Sequence, residues 1–175
     1  SLSINQGGGF FRTRPELDRP NMQMYGQALS TLIHKSGERP LLTPDPFPGF
    51  SLGLSNCRPT SRGHLRIRIA DPATPPTIVA NALSTNHDVE EMLGAVKFLR
   101  KLAAQPAMAS VIAEELRPGP AVRSDDQLID DVRKRSGTVY HPSGTCRMGP
   151  DGVVAENSSS PTPSSCAISR QVAGR

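Results

Sequence analysis

The sequence predicts an α+β fold, an antiparallel sheet covered on one side by helices. Three observations predict it. Residues 62–70 alternate, with Leu65, Ile67 and Ile69 set against His64, Arg66 and Arg68, the period of an antiparallel strand with one wet face. Residues 87–104 carry Val89, Met92, Leu93, Val96, Leu99 and Ala103 at helical spacing, the mark of an amphipathic helix. Strand patterns come first along the chain and helical ones second, which favours α+β over alternating βαβ units.

In chain order, residues 7–20 read as an irregular loop around Phe10 and Phe11. The triple glycine there lacks G-x-G-x-x-G spacing and no helix follows, so it reads as a bend, not a phosphate cradle. Residues 21–32 half-alternate through Met22, Met24, Ala28 and Leu29 and predict a strand. Residues 35–48 are Pro-rich and polar and predict a surface excursion. Residues 49–57 predict a strand with Phe50, Leu52 and Leu54 on one face. In the 62–70 strand His64 reads as solvated. Asp71-Pro72 ends it, and residues 77–80 predict a short edge strand. Asn86 is read as the N-cap of the 87–104 helix, with Asp88, Glu90 and Glu91 near the dipole's positive end and His87 exposed in the first turn. Residues 108–116 predict a short helix. Ser124 and Gln127 have capping-box spacing before Leu128, Ile129 and Val132, a helix to about Arg135 stopped by Gly137. After Val154 the Ser/Pro-rich text has no apolar period, so residues 155–175 are expected to be disordered, leaving 1–154 as the folded part.

Composition narrows the function classes. With 175 residues and 36% hydrophobic content the chain has room for one domain with a modest core. The 15 glycines and 17 prolines predict many turns. The net charge of +4 is spread thinly and aromatics are only 4%, which argues against a nucleic-acid module. Cys57, Cys146 and Cys166 are odd in number and far apart, the usage of a reducing, cytoplasmic compartment without structural disulfides. No apolar run approaches membrane-spanning length. The start lacks a signal-peptide pattern and an initiator Met, so the chain reads as a piece of something longer.

Chemistry concentrates in TVYHPSGTCRMGP, residues 138–150. Pro142 fixes its own φ and drives His141 toward extended backbone, while Gly144 and Gly149 permit a sharp bend. The imidazole therefore sits on a stiff loop, as a proton-transferring group requires. A lone histidine in a Pro/Gly loop is nonetheless more often structural than catalytic. A metal site needs more ligands, and no third or fourth has zinc-like spacing around His141 and Cys146. A Cys–His nucleophile pair is a further alternative, although an inert thiol is commoner. Ser143 has no G-x-S-x-G context, and Tyr140 either orients a substrate or packs.

YHPSGTCRMG resembles the C-terminal histidine signature of the glucose–methanol–choline (GMC) oxidoreductases, flavin-dependent alcohol oxidases and dehydrogenases. SINQGGGFFRTRPELDRPNMQ, PDPFPGF, CRPTSRGHLRI, DPATPP and LSTNHDVEEMLGAVKFLRK are similar to successive pieces of that family's substrate-binding domain, in family order across about residues 1–154. The resemblance implies FAD as cofactor and a small-molecule alcohol as substrate. It implies His141 as the group that takes the hydroxyl proton while hydride passes to flavin N5. It places Tyr140 near the substrate and Gly144 and Thr145 near the flavin ring. It also implies a FAD-binding domain in a full-length parent, because the Rossmann fingerprint is absent here. The family's second active-site residue, an Asn or His, should follow GVV, where this chain has its Ser/Pro text. That text reads as a frame-shifted or truncated end, with a catalytically inactive fragment or binding module as the alternative to an enzyme.

Overall fold

The 18-residue helix α1, Asn86–Ala103, organises the fold in the computed structural model, which describes residues 5–31, 43–138 and 170–174. Its inward face carries Val89, Met92, Ala95, Val96 and Leu99 at i, i+3, i+6, i+7 and i+10. These pack with Leu128 and Val132 of α3 (Asp125–Arg135) and with Met22 and Leu54 of the sheet to form the core. Burying each such side chain stabilises the fold by roughly 1.5–3 kcal/mol. The predicted helix is therefore found, with one correction. Its N-cap is Thr85, whose side chain accepts from the Asp88 amide, and Asn86 is the first helical residue. The capping box of Ser124 and Gln127 on α3 is present in both directions. Between these helices the expected 108–116 helix is only one turn, α2 (Pro106–Ala109).

The main sheet is antiparallel, with β1 Asn5–Phe11, β2 Met22–Gln27, β3 Ser51–Asn56, β6 Gly137–Thr138 and β7 Arg170–Gly174 in the order β1-β2-β3-β7-β6. Its helix-facing side is set by register. Phe11, Met22 and Asn56 are aligned, and so are Met24 with Leu54 and Gly26 with Leu52. Phe11 stacks on Phe98 of α1 with ring centroids 4.1 Å apart. The helices lie on this one side, as the sequence predicted.

One expectation about the start of the sheet is corrected. Residues 7–11 do not loop but pair with β2. A Cβ on Gly8 would stand 2.4 Å from the Met24 carbonyl oxygen, so the glycine run serves close backbone approach, a use that strand propensity does not anticipate. At the other end of the sheet lies Arg170–Gly174. It forms β7 by filling the open edge of β3. An exposed strand edge presents unmet N–H and C=O groups and recruits backbone without requiring an apolar period.

The 62–70 pattern also needs revision. Strand β4, His64–Arg66, pairs with β5, Thr77–Val79, as a separate two-stranded sheet. Its apolar residues are not half-buried: Leu65, Ile67, Ile69 and Ile78 are all exposed.

Two acids on α1 join the helix to the strand ends and the adjoining loop. The fully buried Asp88 carboxylate accepts from the Thr60 amide (2.7 Å), the Thr60 hydroxyl (2.9 Å), the Ser61 amide (2.9 Å) and the Ser61 hydroxyl (2.5 Å). Glu91 accepts from Asn21 at 2.8 Å and Asn56 at 3.1 Å, with His87 Nε2 3.3 Å away. Burial alone would raise the Asp88 pKa. The donors from Ser61 and Thr60 outweigh it and hold the pKa below its ordinary value near 3.8.

A carboxyl depressed in the fold means the unfolded chain binds the extra proton first. The stability Asp88 contributes should therefore be complete above the ordinary Asp range and be lost as pH falls through it toward the folded pKa. Asp88→Asn, which leaves donors unmatched, should lower the urea-unfolding free energy by about 1–3 kcal/mol at neutral pH and flatten the acid limb. An unchanged midpoint would show that the contact carries no stability.

Candidate functional site

Alternation along β2 and β3 divides the sheet's residues. With Met22 and Met24 turned to the helices, Gln23, Tyr25 and Gln27 turn to the opposite face, joined there by Ser51 and Ser55 of β3 and Phe10 of β1. Among the described residues no helix packs on this face. Its sharpest feature is Tyr25, whose hydroxyl lies 2.5 Å from Ser55 Oγ. Burial pushes the Tyr25 phenol up to about 12, partly opposed by the Ser55 hydrogen bond and reinforced by Cys57. The phenol is thus neutral far beyond pH 7. It can orient a polar ligand by donating or accepting a hydrogen bond, and it does not ionise at neutral pH.

The sequence-predicted site residues Tyr140, His141, Gly144 and Thr145 lie outside the described residues. The chain is described as far as Thr138 on β6, two residues short of Tyr140. Of the other histidines, His64 is exposed on β4 and His87 stands beside Glu91. The pair Tyr25–Ser55 was missed by motif reading. Its signal was present in the alternation, because a strand that buries Met22 and Met24 must show its odd-numbered residues to the other face.

A second feature is an apolar cavity of about 870 Å³ on the helix side, between β3, the C-terminal half of α1 and residues 111–118, lined by Phe47, Phe50, Leu52, Val96, Leu99 and Ile112. Its size suits a small ligand. Two of the arginines that line it are held in ion pairs. Arg100 forks onto Glu115 at 2.9–3.3 Å and reaches the Val122 carbonyl, and Arg117 holds the buried Asp45 at 3.0 and 3.1 Å. The cavity offers mainly apolar contact.

A dinucleotide cofactor would need a glycine-rich turn opening a helix. The only triple glycine in the chain, Gly7–Gly9, is consumed in β1, with Gly8 against the β2 backbone. The described residues therefore do not fit the dinucleotide half of FAD. Among them, no three His, Cys, Asp or Glu side chains gather as metal ligands, and no helix is long and apolar enough to cross a membrane.

The two tyrosines make the Tyr25 environment measurable. In Tyr140→Phe, where Tyr25 is the sole phenol, phenolate absorbance should titrate near 12. The unfolded chain ionises near 10 and so sheds its proton first. Folding stability should then decline as pH rises between those values. A titration midpoint near 10 would contradict the buried pair.

Comparison with known proteins sets this geometry in a family. The C-terminal family model for GMC oxidoreductase matches residues 59–160. The chain is 38% identical over 149 residues to an alcohol dehydrogenase [acceptor] of Pseudomonas putida, covering 85% of this chain and 26% of that protein. It is 36% identical over 146 residues to an oxygen-dependent choline dehydrogenase of Cronobacter sakazakii, covering 83% and 25%. The crystal structure of pyridoxine 4-oxidase from Mesorbium loti superimposes with a TM-score of 0.73 at 26% identity, over 89% of this chain and 30% of that one. The chain thus spans about a quarter of the length of the curated relatives it matches. A sheet with helices on one side, the ordered sequence segments and the family-model match converge: the chain belongs to the GMC oxidoreductase family.

Proposed function

We propose that this chain is the substrate-binding portion of a FAD-dependent oxidoreductase acting on the CH–OH group of a small-molecule alcohol. One observation carries the reading: YHPSGTCRMG, residues 140–149, falls inside the 59–160 span matched by the family model. GMC oxidoreductases are generally flavin-dependent, and the named relatives act as alcohol and choline dehydrogenases.

In this proposal the neutral imidazole of His141 takes the proton of the substrate hydroxyl. Removing that proton raises electron density on the carbinol carbon and makes departure of its hydride easier. Bound FAD would supply the hydride acceptor at N5. Tyr140 positions the alcohol. Gly144 allows close backbone approach to the flavin ring, and Thr145 offers it a hydrogen bond. The Tyr25–Ser55 pair on the helix-free face supplies a neutral hydroxyl couple for orientation.

A second reading is favoured by the way β1 uses its glycines: the 175-residue chain alone is a binding module without turnover, since no dinucleotide cradle is found among its described residues. The visible spectrum separates the two. The purified chain mixed with FAD should retain no stoichiometric flavin, and tight retention would contradict the missing cradle. Supplied with the flavin-binding portion of a relative, it should allow alcohol-driven flavin bleaching, and His141→Ala should slow that by about 10²–10⁴-fold. Bleaching at an undiminished rate in the variant would remove His141 from the mechanism.

A further inference from the structure

Among the described residues the β4–β5 hairpin presents an exposed apolar surface. Leu65 (46% exposed) pairs across the hairpin with Ile78 (69%), and Ile67 (82%) and Ile69 (54%) follow at alternate positions beyond β4. Two-stranded sheets are marginal on their own, so its order has to come from elsewhere. Gly63 brings the strands together: a Cβ there would stand 2.1 Å from the Val79 carbonyl oxygen. Asn81 closes that end by donating to the Arg62 carbonyl at 2.9 Å. Asp71 closes the turn by accepting from the Ala73 amide at 3.0 Å, with the Thr74 amide on its carbonyl at 3.1 Å. Polar and backbone contacts thus hold four large aliphatic side chains outward, an arrangement characteristic of an interface.

We infer that this face docks on the portion of a GMC oxidoreductase polypeptide that the relatives carry and this chain does not span. Size argues for that occupant over a second copy. The four side chains present on the order of a few hundred Å². A free-standing protein pair needs ~800 Å² from each partner, whereas contacts between domains of one polypeptide total ~600–1,500 Å². Coverage argues the same way, since this chain corresponds to 26% of the Pseudomonas putida alcohol dehydrogenase and 30% of the pyridoxine 4-oxidase. Arg66 and Arg68, exposed at the intervening positions, give the hairpin a wet opposite face. The face with Leu65 and Ile78 is apolar, so its counterpart on the partner is apolar too.

The inference goes beyond the catalytic proposal and depends on neither flavin nor turnover. The full 175-residue chain, tagged, is co-expressed with the unmatched three quarters of the Pseudomonas putida alcohol dehydrogenase, and the protein stoichiometry after affinity capture is measured. Equimolar co-elution is expected. Ile67→Asp, placed beyond the paired strand and outward, should reduce it about tenfold or more, as should Ile78→Asp. Val111→Asp, equally exposed but away from the hairpin, should leave it unchanged, and circular dichroism of each variant alone should match the parent. Capture undiminished by Ile67→Asp, or no capture by the parent chain, overturns the inference. So does a concentration-dependent homodimer that Ile67→Asp abolishes, which would assign the face to a second copy. Intact co-elution without alcohol-driven bleaching would sink the catalytic reading and leave this one standing.

Discussion

The structure depends on two carboxylates buried at the N-terminal end of α1. An ionised carboxylate taken out of water costs several kcal/mol unless its oxygens are fully matched. Asp88 meets that cost with four donors from Thr60 and Ser61. Glu91 meets it with Asn21, Asn56 and the neighbouring His87. Asp88 sits in the first turn, where the helix dipole favours negative charge. Asn21 immediately precedes β2 and Asn56 ends β3, so Glu91 ties adjacent strands to one point on the helix. Asp88 ties down the loop that follows β3. The apolar packing of Met22, Leu54, Met92 and Leu99 supplies most of the driving force, and the acids select its register.

That arrangement decides what each surface is free to do. One face of the sheet is covered by α1 and α3. The other carries Gln23 and the bonded Tyr25–Ser55 pair, with Ser55 itself buried. The loop gripped by Asp88 leads directly into β4, so the β4–β5 hairpin is carried outward from a fixed base with its aliphatic side chains uncovered. At the far end of α1, Arg100 and Arg117 tie residues 43–48 and 111–122 to the same scaffold. A chain matching a quarter of its relatives thus folds around its own helix while presenting a polar sheet face and an apolar hairpin.

What was legible in the sequence followed from local periodicity. The stripe of α1 and the Ser124–Gln127 capping box are complete within one segment, and both helices stand where they were expected. β1 was read as a loop because three glycines have poor strand propensity; only the approach of the β2 backbone explains them. The hairpin's alternation was read correctly as pairing and wrongly as burial, because the pattern cannot say what covers an apolar face. Asp88 and Glu91 were read as dipole partners. Their phase with Met92, Ala95 and Leu99 already placed them inward, which for a carboxylate means a hydrogen-bonding role. His141 was singled out through its motif and its resemblance alone and lies outside the described residues, whereas the Tyr25–Ser55 pair needed the register of two strands.

The most direct test of the central claim is a double-mutant cycle on Asn21 and Glu91, read as urea-unfolding free energies of the parent chain, Asn21→Ala, Glu91→Gln and the double variant. If Glu91 holds the strand ends through Asn21, the two losses should fall short of additivity by about 1 kcal/mol or more. Losses that add within ~0.5 kcal/mol would mean that the two residues act independently and that the register of helix on sheet is set by apolar packing alone.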